Sequence, residues 1–262
     1  MKRIFSAIIL AGLAWLAIAR LSDLAFQCLI FFVTVLSIIE FTNMFYDDVI
    51  EKMALLLVAT LLSSMMLWRV EYILSAIIFS TFLFSLVVMN RSKTLERSAT
   101  KLGLGVLCLV YLSLSLPFWD WLHRLPSGSS LVFLALLPAC LTDTFALIAG
   151  KLCGKKKFTP LVSPNKTWEG YWGALIGSAA GVYLVWFLAF RDMYSWQIML
   201  PLVFIIWITS PFGDLVESML KREAGVKDSG KLIPGHGGLL DRLDALIFTG
   251  PATYLYHHLF LS

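Results

Sequence analysis

Long apolar segments follow one another along almost the whole chain, and they constrain the fold more than any other feature. They lie at residues 4–19, 24–41, 53–68, 72–89, 102–118, 131–149, 168–190, 198–213 and 245–261. A helix that crosses a bilayer needs about 20 residues. Only 15% of the 262 residues are charged, against about 25% in a soluble domain. The sequence therefore predicts an all-α fold, a polytopic membrane helix bundle with about nine transmembrane helices.

The basic residues of the loops predict how this bundle is oriented. With a cytoplasmic N-terminus, all but four of the 21 Lys and Arg residues fall in cytoplasmic segments. The exceptions are Arg20, Arg69, Arg124 and Arg191. Since cytoplasmic loops carry an excess of Lys and Arg, we expect a cytoplasmic N-terminus, an outside C-terminus and an odd number of spans. The first segment lacks a small-x-small cleavage site, so we expect it to be retained as a span.

The two longest hydrophilic stretches, 150–167 and 214–244, both fall on the predicted cytoplasmic side. We therefore divide the chain into N-terminal membrane helices at 1–120, with about five spans, and a catalytic membrane region at 121–262 that carries both loops. The four cysteines form no CxxC motif and no cluster with histidine. This pattern favours neither a disulfide framework nor a zinc site.

Two carboxylates at the apolar segments are candidates for chemistry. Asp143 lies inside the sixth segment, where a charge costs at least about 2.5–3.5 kcal/mol on insertion scales. Asp214 ends the eighth segment, and Glu217 follows on the same helical face if the helix continues. These side chains could serve catalysis, or they could cap helices and pair with lysines. The sequence leaves both interpretations open.

The loop at 214–244 combines basic residues with carboxylates. Its basic residues are Lys221, Arg222, Lys227, Lys231 and Arg242. Basic residues alone would suggest lipid headgroups, whereas basic residues beside carboxylates suggest a polyphosphate and its divalent metal ion. Carboxylates hold Mg²⁺, which keeps water and substrate phosphates as its remaining ligands. Lys and Arg neutralise the other phosphate oxygens.

The end of this loop contains glycines, a histidine and two aspartates. Gly237 and Gly238 follow His236, and glycines allow backbone N–H groups to approach an anion closely. A tight turn into the last span would explain them equally well. His236 is either an acid or base, or a hydrogen-bond partner in that turn. Asp241 and Asp244 share a helical face, where they could bind metal or simply cap the last helix.

The loop at 150–167 ends in Ser163-Pro164-Asn165-Lys166, directly before an apolar helix. We expect a turn here that aims the Ser163, Asn165 and Lys166 donors at a phosphate beside a helix N-terminus. The alternative is an ordinary N-cap, with Pro164 setting the turn. Four further lysines of this loop favour a solvated stripe that faces the lipid.

Taken together, these residues resemble a known signature. Ser218-Met219-Leu220-Lys221-Arg222 is followed after four residues by Lys227-Asp228, and then by His236-Gly237-Gly238-Leu239-Leu240-Asp241-Arg242-Leu243-Asp244. This pattern is similar to that of the phosphatidate cytidylyltransferases, or CDP-diacylglycerol synthases. The stretches 213–218 and 163–170 also resemble that family. The matching motifs cover roughly the second half of the chain, and the first five spans resemble the family only in hydropathy.

The resemblance implies that CTP and phosphatidate react to give CDP-diacylglycerol and pyrophosphate at the cytoplasmic face. It implies Mg²⁺ as cofactor, with one ion or two, and Asp214 and Asp241 as its ligands. Our further catalytic candidates are Asp143, Lys227, Arg242 and His236. The candidate substrate-binding residues are Ser163, Asn165, Lys166, Lys221, Arg222, Gly237 and Gly238. A homodimer in a bacterial inner (plasma) membrane, in contact with membrane lipids and without nucleic acid, is expected as well.

One departure from the family keeps two alternatives open. The family usually has an Asp-Thr-Gly-Ala-Tyr-like stretch in the sixth span, and this chain has Asp143-Thr144-Phe145-Ala146-Leu147. The bulky Phe145 is compatible with a related enzyme that uses CTP on a different lipid phosphate or lipid alcohol. The polar breaks at Asp143 and at 211–214 would also suit a transporter of an anionic metabolite, since transporters use discontinuous helices.

Overall fold

The computed structural model describes residues 12–68, 70–91, 94–232 and 237–261. Residues 12–20 form the described part of helix α1. The elements after it are α2 (Asp23–Phe45), α3 (Val49–Trp68), α4 (Ile73–Arg91), α5 (Leu95–Cys108), α6 (Phe118–Arg124), α7 (Gly128–Cys153), β1 (Lys157–Thr159), β2 (Ser163–Thr167), α8 (Trp168–Val185), α9 (Trp196–Glu223), α10 (Leu240–Leu243) and α11 (Leu246–Phe260). A short 3₁₀ turn precedes α4, and α5 and α8 each continue into a π-helical stretch.

Seven helical stretches among the described residues are long and apolar enough to cross a membrane. They correspond to the second to eighth apolar segments of the sequence, so the predicted multi-pass helical architecture is confirmed. Half of the first predicted span, residues 4–11, lies outside the described residues. The ninth coincides with α11, whose 15 residues rise about 22 Å at 1.5 Å per residue. That length falls short of the hydrocarbon core of about 30 Å.

The chain forms two compact units. The predicted division into membrane helices at 1–120 and a catalytic region at 121–262 concerns function, and it stays a prediction. One unit consists of the described residues of Met1–Trp121 and Val226–Asp241. The other consists of the described residues of Leu122–Gly225 and Arg242–Ser262. We call them the first and the second unit.

The first unit contains the helices α2 to α5. Helix α2 packs on α3, α3 on α4 and α4 on α5. Phe41, Leu55, Leu62 and Phe84 are fully buried in its core. Two ion pairs close one end of these helices. Arg91 Nη2 lies 2.6 Å from Asp48 Oδ2, and Lys101 Nζ lies 2.5 Å from Glu51 Oε2. The start of α3 and the junction between α4 and α5 therefore share one end, as the loop charges predict.

The second unit packs α7 tightly against α8, and α9 against both of them and α11. Glycines of α8 face α7 at Gly173, Gly177 and Gly181. A Cβ on Gly177 would lie only 2.3 Å from the Leu141 carbonyl oxygen. Small residues are the usual means by which membrane helices approach one another closely. Ser178 adds a buried hydrogen bond of 2.7 Å to the Val203 carbonyl, which ties α8 to α9.

A small hairpin is the one departure from an all-α fold among the described residues. Strands β1 and β2 pair antiparallel, with Lys157 opposite Thr167 and Thr159 opposite Ser163. The turn expected at 163–166 is wrong, because these residues form β2. Pro164 is tolerated in a two-stranded sheet because both strands have an edge that needs no N–H donor. Thr167 caps α8 by accepting a hydrogen bond of 3.1 Å from the Gly170 N–H.

Candidate active site

An ion pair between Lys166 and Asp214 is the centre of the polar cluster in the second unit. Strand β2 carries Lys166 to helix α9, where its Nζ lies 2.9 Å from Asp214 Oδ2. The same ammonium donates to the Pro211 carbonyl oxygen at 3.3 Å. Ser218 donates to the other oxygen of Asp214 at 3.1 Å. Both side chains of the ion pair are partly exposed, so a ligand can reach them.

Two more carboxylates lie near this pair. Ser210, one helical turn before Asp214, donates to Asp143 Oδ1 at 3.4 Å. Gly213 lets the Asp244 backbone approach α9, since a Cβ on this glycine would lie 2.3 Å from the Asp244 carbonyl oxygen. Burial and the nearby Asp214 carboxylate raise the pKa of Asp244 to about 7. The three carboxylates thus interact with one another, Asp214 and Asp143 also with the Lys166 ammonium group, and Asp244 with that of Lys221.

The remaining basic candidates of the second unit differ in their surroundings. Lys221 forms an ion pair with Glu217, one turn earlier on α9, and the Glu217 side chain is fully buried. Lys221 also interacts electrostatically with Asp244. Arg222 and Arg242 are exposed. In β2, Ser163 is half-buried and Asn165 is exposed.

Asp241 is held by its own loop in the first unit. Its Oδ2 accepts hydrogen bonds from the Ser229 N–H at 2.9 Å, the Ser229 hydroxyl at 3.0 Å and the Gly238 N–H at 2.8 Å. Gly237 has a φ of +84°, and a Cβ there would lie 2.7 Å from Asp241 Oδ2. The Gly238 amide therefore has an acceptor within the protein, which differs from the expectation that it binds a phosphate. Lys227 is exposed.

The structure therefore divides the predicted set in two. Asp143, Lys166, Asp214 and Lys221 come together in the second unit. Asp241, Gly237 and Gly238 come together in the first. His236 lies outside the described residues. Asp244 and Glu40 were not in the predicted set, although Glu40 accepts hydrogen bonds from the loop that carries Asp241.

Comparison with known proteins decides the family. The model of the cytidylyltransferase family matches residues 1–260. The chain belongs to the cytidylyltransferase family.

Curated relatives match part of the chain. A phosphatidate cytidylyltransferase of Staphylococcus haemolyticus is 45% identical over 124 residues, which cover 47% of this chain and 47% of the relative. A protein of the same name from Synechocystis sp. is 43% identical over 145 residues, or 53% of this chain and 48% of the relative. The chloroplastic phosphatidate cytidylyltransferase 4 of Arabidopsis thaliana is 49% identical over 119 residues, or 44% and 29%. The chain spans about half the length, or less, of these relatives.

The donor chemistry of this cytidylyltransferase family member suits a hard divalent cation. No group of three or more His, Cys, Asp or Glu side chains has a metal-binding arrangement in the part of the chain that the structure describes. The carboxylates of Asp143, Asp214 and Asp244 and the hydroxyls of Ser210 and Ser218 are all oxygen donors, although the three carboxylates are not arranged as a metal site. Oxygen ligands are those that Mg²⁺ prefers. The type of donor, and not the arrangement of these side chains, is what Mg²⁺ uses, so Mg²⁺ stays a prediction.

The two carboxylates outside the predicted set, Asp244 and Glu40, had different signals in the sequence. Asp244 lies three residues after Asp241, and helix capping explained it equally well. Glu40 lies one residue before the end of an otherwise apolar segment, and a carboxylate there signals a buried polar contact. Neither signal names a partner, because the partners come from distant parts of the chain.

Proposed function

We propose that this chain transfers the cytidylyl group of CTP to phosphatidate and so forms CDP-diacylglycerol and pyrophosphate. The observation that carries the proposal is the Lys166–Asp214 pair with Asp143 and Asp244 around it, in a member of the cytidylyltransferase family. The names of the relatives in the three organisms support the choice of substrates.

The cluster suits a reaction between two anions. A phosphate oxygen of phosphatidate attacks the α-phosphorus of CTP, the bond from the α-phosphorus to the bridging oxygen breaks, and pyrophosphate leaves with that electron pair. The nucleophile is already ionised, so the reaction needs no strong base. The barrier is largely electrostatic, and cationic side chains lower it by neutralising the transition state. We assign this role to Lys166 and Lys221, with Arg222, Lys227 and Arg242 binding phosphates.

We propose Mg²⁺ as the cofactor, bound as one ion or two. Asp214 in the second unit and Asp241 in the first are each proposed as metal ligands, and Asp143 is a further acidic candidate. When bound, Mg²⁺ would neutralise phosphate charge and favour departure of pyrophosphate. Ser163 and Asn165 complete the proposed phosphate cradle, and His236 is a further catalytic candidate.

We place this chemistry at the cytoplasmic face of a bacterial inner (plasma) membrane, in a homodimer surrounded by membrane lipids. The proposed topology has nine spans, with the N-terminus inside and the C-terminus outside. The Asp48–Arg91 and Glu51–Lys101 pairs of the first unit support it. They join two loops that the charge pattern assigns to the same side.

The decisive experiment uses purified protein in detergent with labelled CTP, phosphatidate and Mg²⁺. We expect CDP-diacylglycerol and pyrophosphate in equal amounts, and loss of both with a chelator. Asp214→Asn and Asp241→Asn should remove activity, because each deletes a charge that the reaction uses. Asp192→Asn is the matched control, since Asp192 lies in an exposed turn and contacts only Arg191 among the pairs described.

The outcomes separate the alternatives. Turnover with another lipid phosphate or lipid alcohol, and none with phosphatidate, would make this a related CTP-dependent enzyme with a different lipid pocket. No turnover with any acceptor, together with uptake of an anion into proteoliposomes, would support a transporter. Full activity of Asp241→Asn would refute its role as a metal ligand.

A further inference from the structure

Glu40 is a buried carboxylate near the end of the apolar helix α2. Glu40 is only 8% exposed to solvent. A carboxylate removed from water is costly unless hydrogen bonds replace its hydration. The partners that Glu40 finds therefore indicate what it is there to hold.

Among the described residues, three hydrogen-bond donors reach Glu40, and all belong to residues 226–232 and 237–241 of the first unit, which we call the 226–241 segment. The Leu239 N–H donates to Oε1 at 2.9 Å. The Leu240 N–H donates to Oε2 at 2.9 Å, and the Ser229 hydroxyl lies 3.0 Å from the same oxygen. One side chain of α2 thus binds both the beginning and the end of this segment.

The glycines of the 226–241 segment fit closely around this carboxylate. A Cβ on Gly230 would lie 2.5 Å from Glu40 Oε1, and a Cβ on Gly238 would lie 2.5 Å from Oε2. Distances below 3.0 Å are not found for real Cβ atoms. The segment therefore approaches Glu40 more closely than any residue with a side chain would allow at these two positions.

The same atoms connect Glu40 to Asp241. Ser229 Oγ lies 3.0 Å from Asp241 Oδ2 as well as 3.0 Å from Glu40 Oε2. The hydroxyl has one proton and donates it to one carboxylate at a time, while backbone N–H groups bond to each carboxylate separately. Asp241 and Glu40 thus accept hydrogen bonds from consecutive N–H groups of the same short stretch of backbone.

We propose that Glu40 is a positioning residue for cytidylyl transfer. Its carboxylate fixes the 226–241 segment and, through Ser229 and residues 238–240, the orientation of Asp241. This inference rests on the proposed function, in which Asp241 takes part in the reaction. Glu40 itself touches no reacting atom, so its loss should affect the rate of the reaction more than the binding of CTP.

The test compares Glu40→Gln with Glu51→Gln. Glutamine keeps the shape of Glu40 but turns an NH₂ group toward the N–H donors of Leu239 or Leu240. Glu51 is the matched control because it is also a buried carboxylate of the first unit, and its ion pair is with Lys101, outside the 226–241 segment. Hydrogen exchange by mass spectrometry, steady-state kinetics, Mg²⁺ activation and the melting temperature are measured for both.

We expect Glu40→Gln to raise exchange within the 226–241 segment at least about tenfold relative to wild type, and Glu51→Gln to leave it unchanged. The value of kcat should fall between about 10-fold and 100-fold, since misplacement of a reacting group by 1 Å costs up to that much. KM for CTP should change less than about threefold, because ground-state binding is kept. The Mg²⁺ concentration that gives half-maximal activity should rise. The fall in melting temperature should not exceed that of Glu51→Gln.

Ser229→Ala provides a second test of the connection. It should lower kcat as well, and the double variant with Glu40→Gln should lose less than the product of the two single effects, as expected for residues in one network. If Glu40→Gln does not fold, Gly230→Ala perturbs the same carboxylate from the other side, with the same expected changes. Unaltered exchange and kcat in that variant would overturn the inference.

Three other results would also overturn it. One is kcat of Glu40→Gln within twofold of wild type. Another is a loss of activity no larger than that of Glu51→Gln. The third is unchanged exchange in the 226–241 segment, and this result counts even if wild-type protein makes no CDP-diacylglycerol. Failure of the proposed function is recognised separately, by an inactive wild type whose segment still loosens in Glu40→Gln.

Discussion

Replacing Gly177 by alanine should force helices α7 and α8 apart directly beside Asp143. A Cβ on residue 177 would lie 2.3 Å from the Leu141 carbonyl oxygen and 2.9 Å from the Thr142 nitrogen. These are backbone atoms, so no change of rotamer can relieve the contact. Ordinary contacts of Cβ atoms begin at 3.4 Å. The helices must therefore separate by about 1.1 Å, which displaces the stretch of α7 that carries Asp143.

The size of the effect follows from two opposing contributions. Adding a methyl group to a packed interface costs about 1–3 kcal/mol, and the better helix propensity of alanine returns about 1 kcal/mol. We therefore expect the free energy of unfolding to fall by up to about 2 kcal/mol. Activity should suffer more, because a displacement of about 1 Å at a reacting group costs up to about 100-fold in rate.

The assay combines thermal unfolding in detergent with the CDP-diacylglycerol assay, and Gly103→Ala is the matched control. Gly103 lies in α5, and a Cβ there meets no atom within 4 Å. This control should gain up to about 1 kcal/mol from helix propensity and keep full activity. A Gly177→Ala variant that melts as high as Gly103→Ala and turns over at the wild-type rate would refute the reasoning.

Three further predictions concern the second unit. Lys166→Met should lower kcat/KM for CTP by about 100-fold, as loss of a positioned donor does elsewhere, whereas Lys166→Arg should keep more activity. Wild-type kinetics in the Met variant would contradict the proposed role of Lys166 in neutralising the transition state. Protonated Asp244 contributes stability that is present below the unfolded pKa of about 4 and lost as pH rises through its folded pKa of about 7. In chelator, Asp244→Asn should therefore flatten the fall in melting temperature between these pH values, and an unaltered profile would exclude this titration. Thr167→Val should lower the free energy of unfolding by about 1 kcal/mol, because it removes the N-cap of α8, and the melting temperature should fall. An unchanged melting temperature would mean that the hairpin alone fixes the start of α8.

Much of the candidate site could be predicted because its residue types have few uses in a membrane protein. Asp143 and Asp214 interrupt apolar segments, and Lys166 precedes one, so their chemistry is visible without a structure. The strand at 163–167 was missed, because a hairpin of so few residues has no periodicity that separates it from a turn. The N-cap also moved to Thr167, since β2 extends up to the first turn of α8.

Other features depend on residues far apart in the chain. The fit of Gly177 against Leu141 depends on which helix α8 faces, and spacing alone does not specify that partner. Gly238 is a local case, which the sequence left open between a phosphate-binding amide and a tight turn. A glycine amide near basic residues suggested a bound phosphate, and its acceptor is the Asp241 carboxylate.

The sequence by itself determined that this protein is a bundle of membrane helices, since an apolar segment in a bilayer must satisfy its backbone hydrogen bonds internally. It also determined which residues can carry charge chemistry. The tertiary structure decided how those residues pair, as in Lys166 with Asp214, and in Glu40 with Ser229 across 189 positions of the chain. Hydropathy acts on each segment independently, whereas a buried carboxylate is satisfied only where packing brings donors to it.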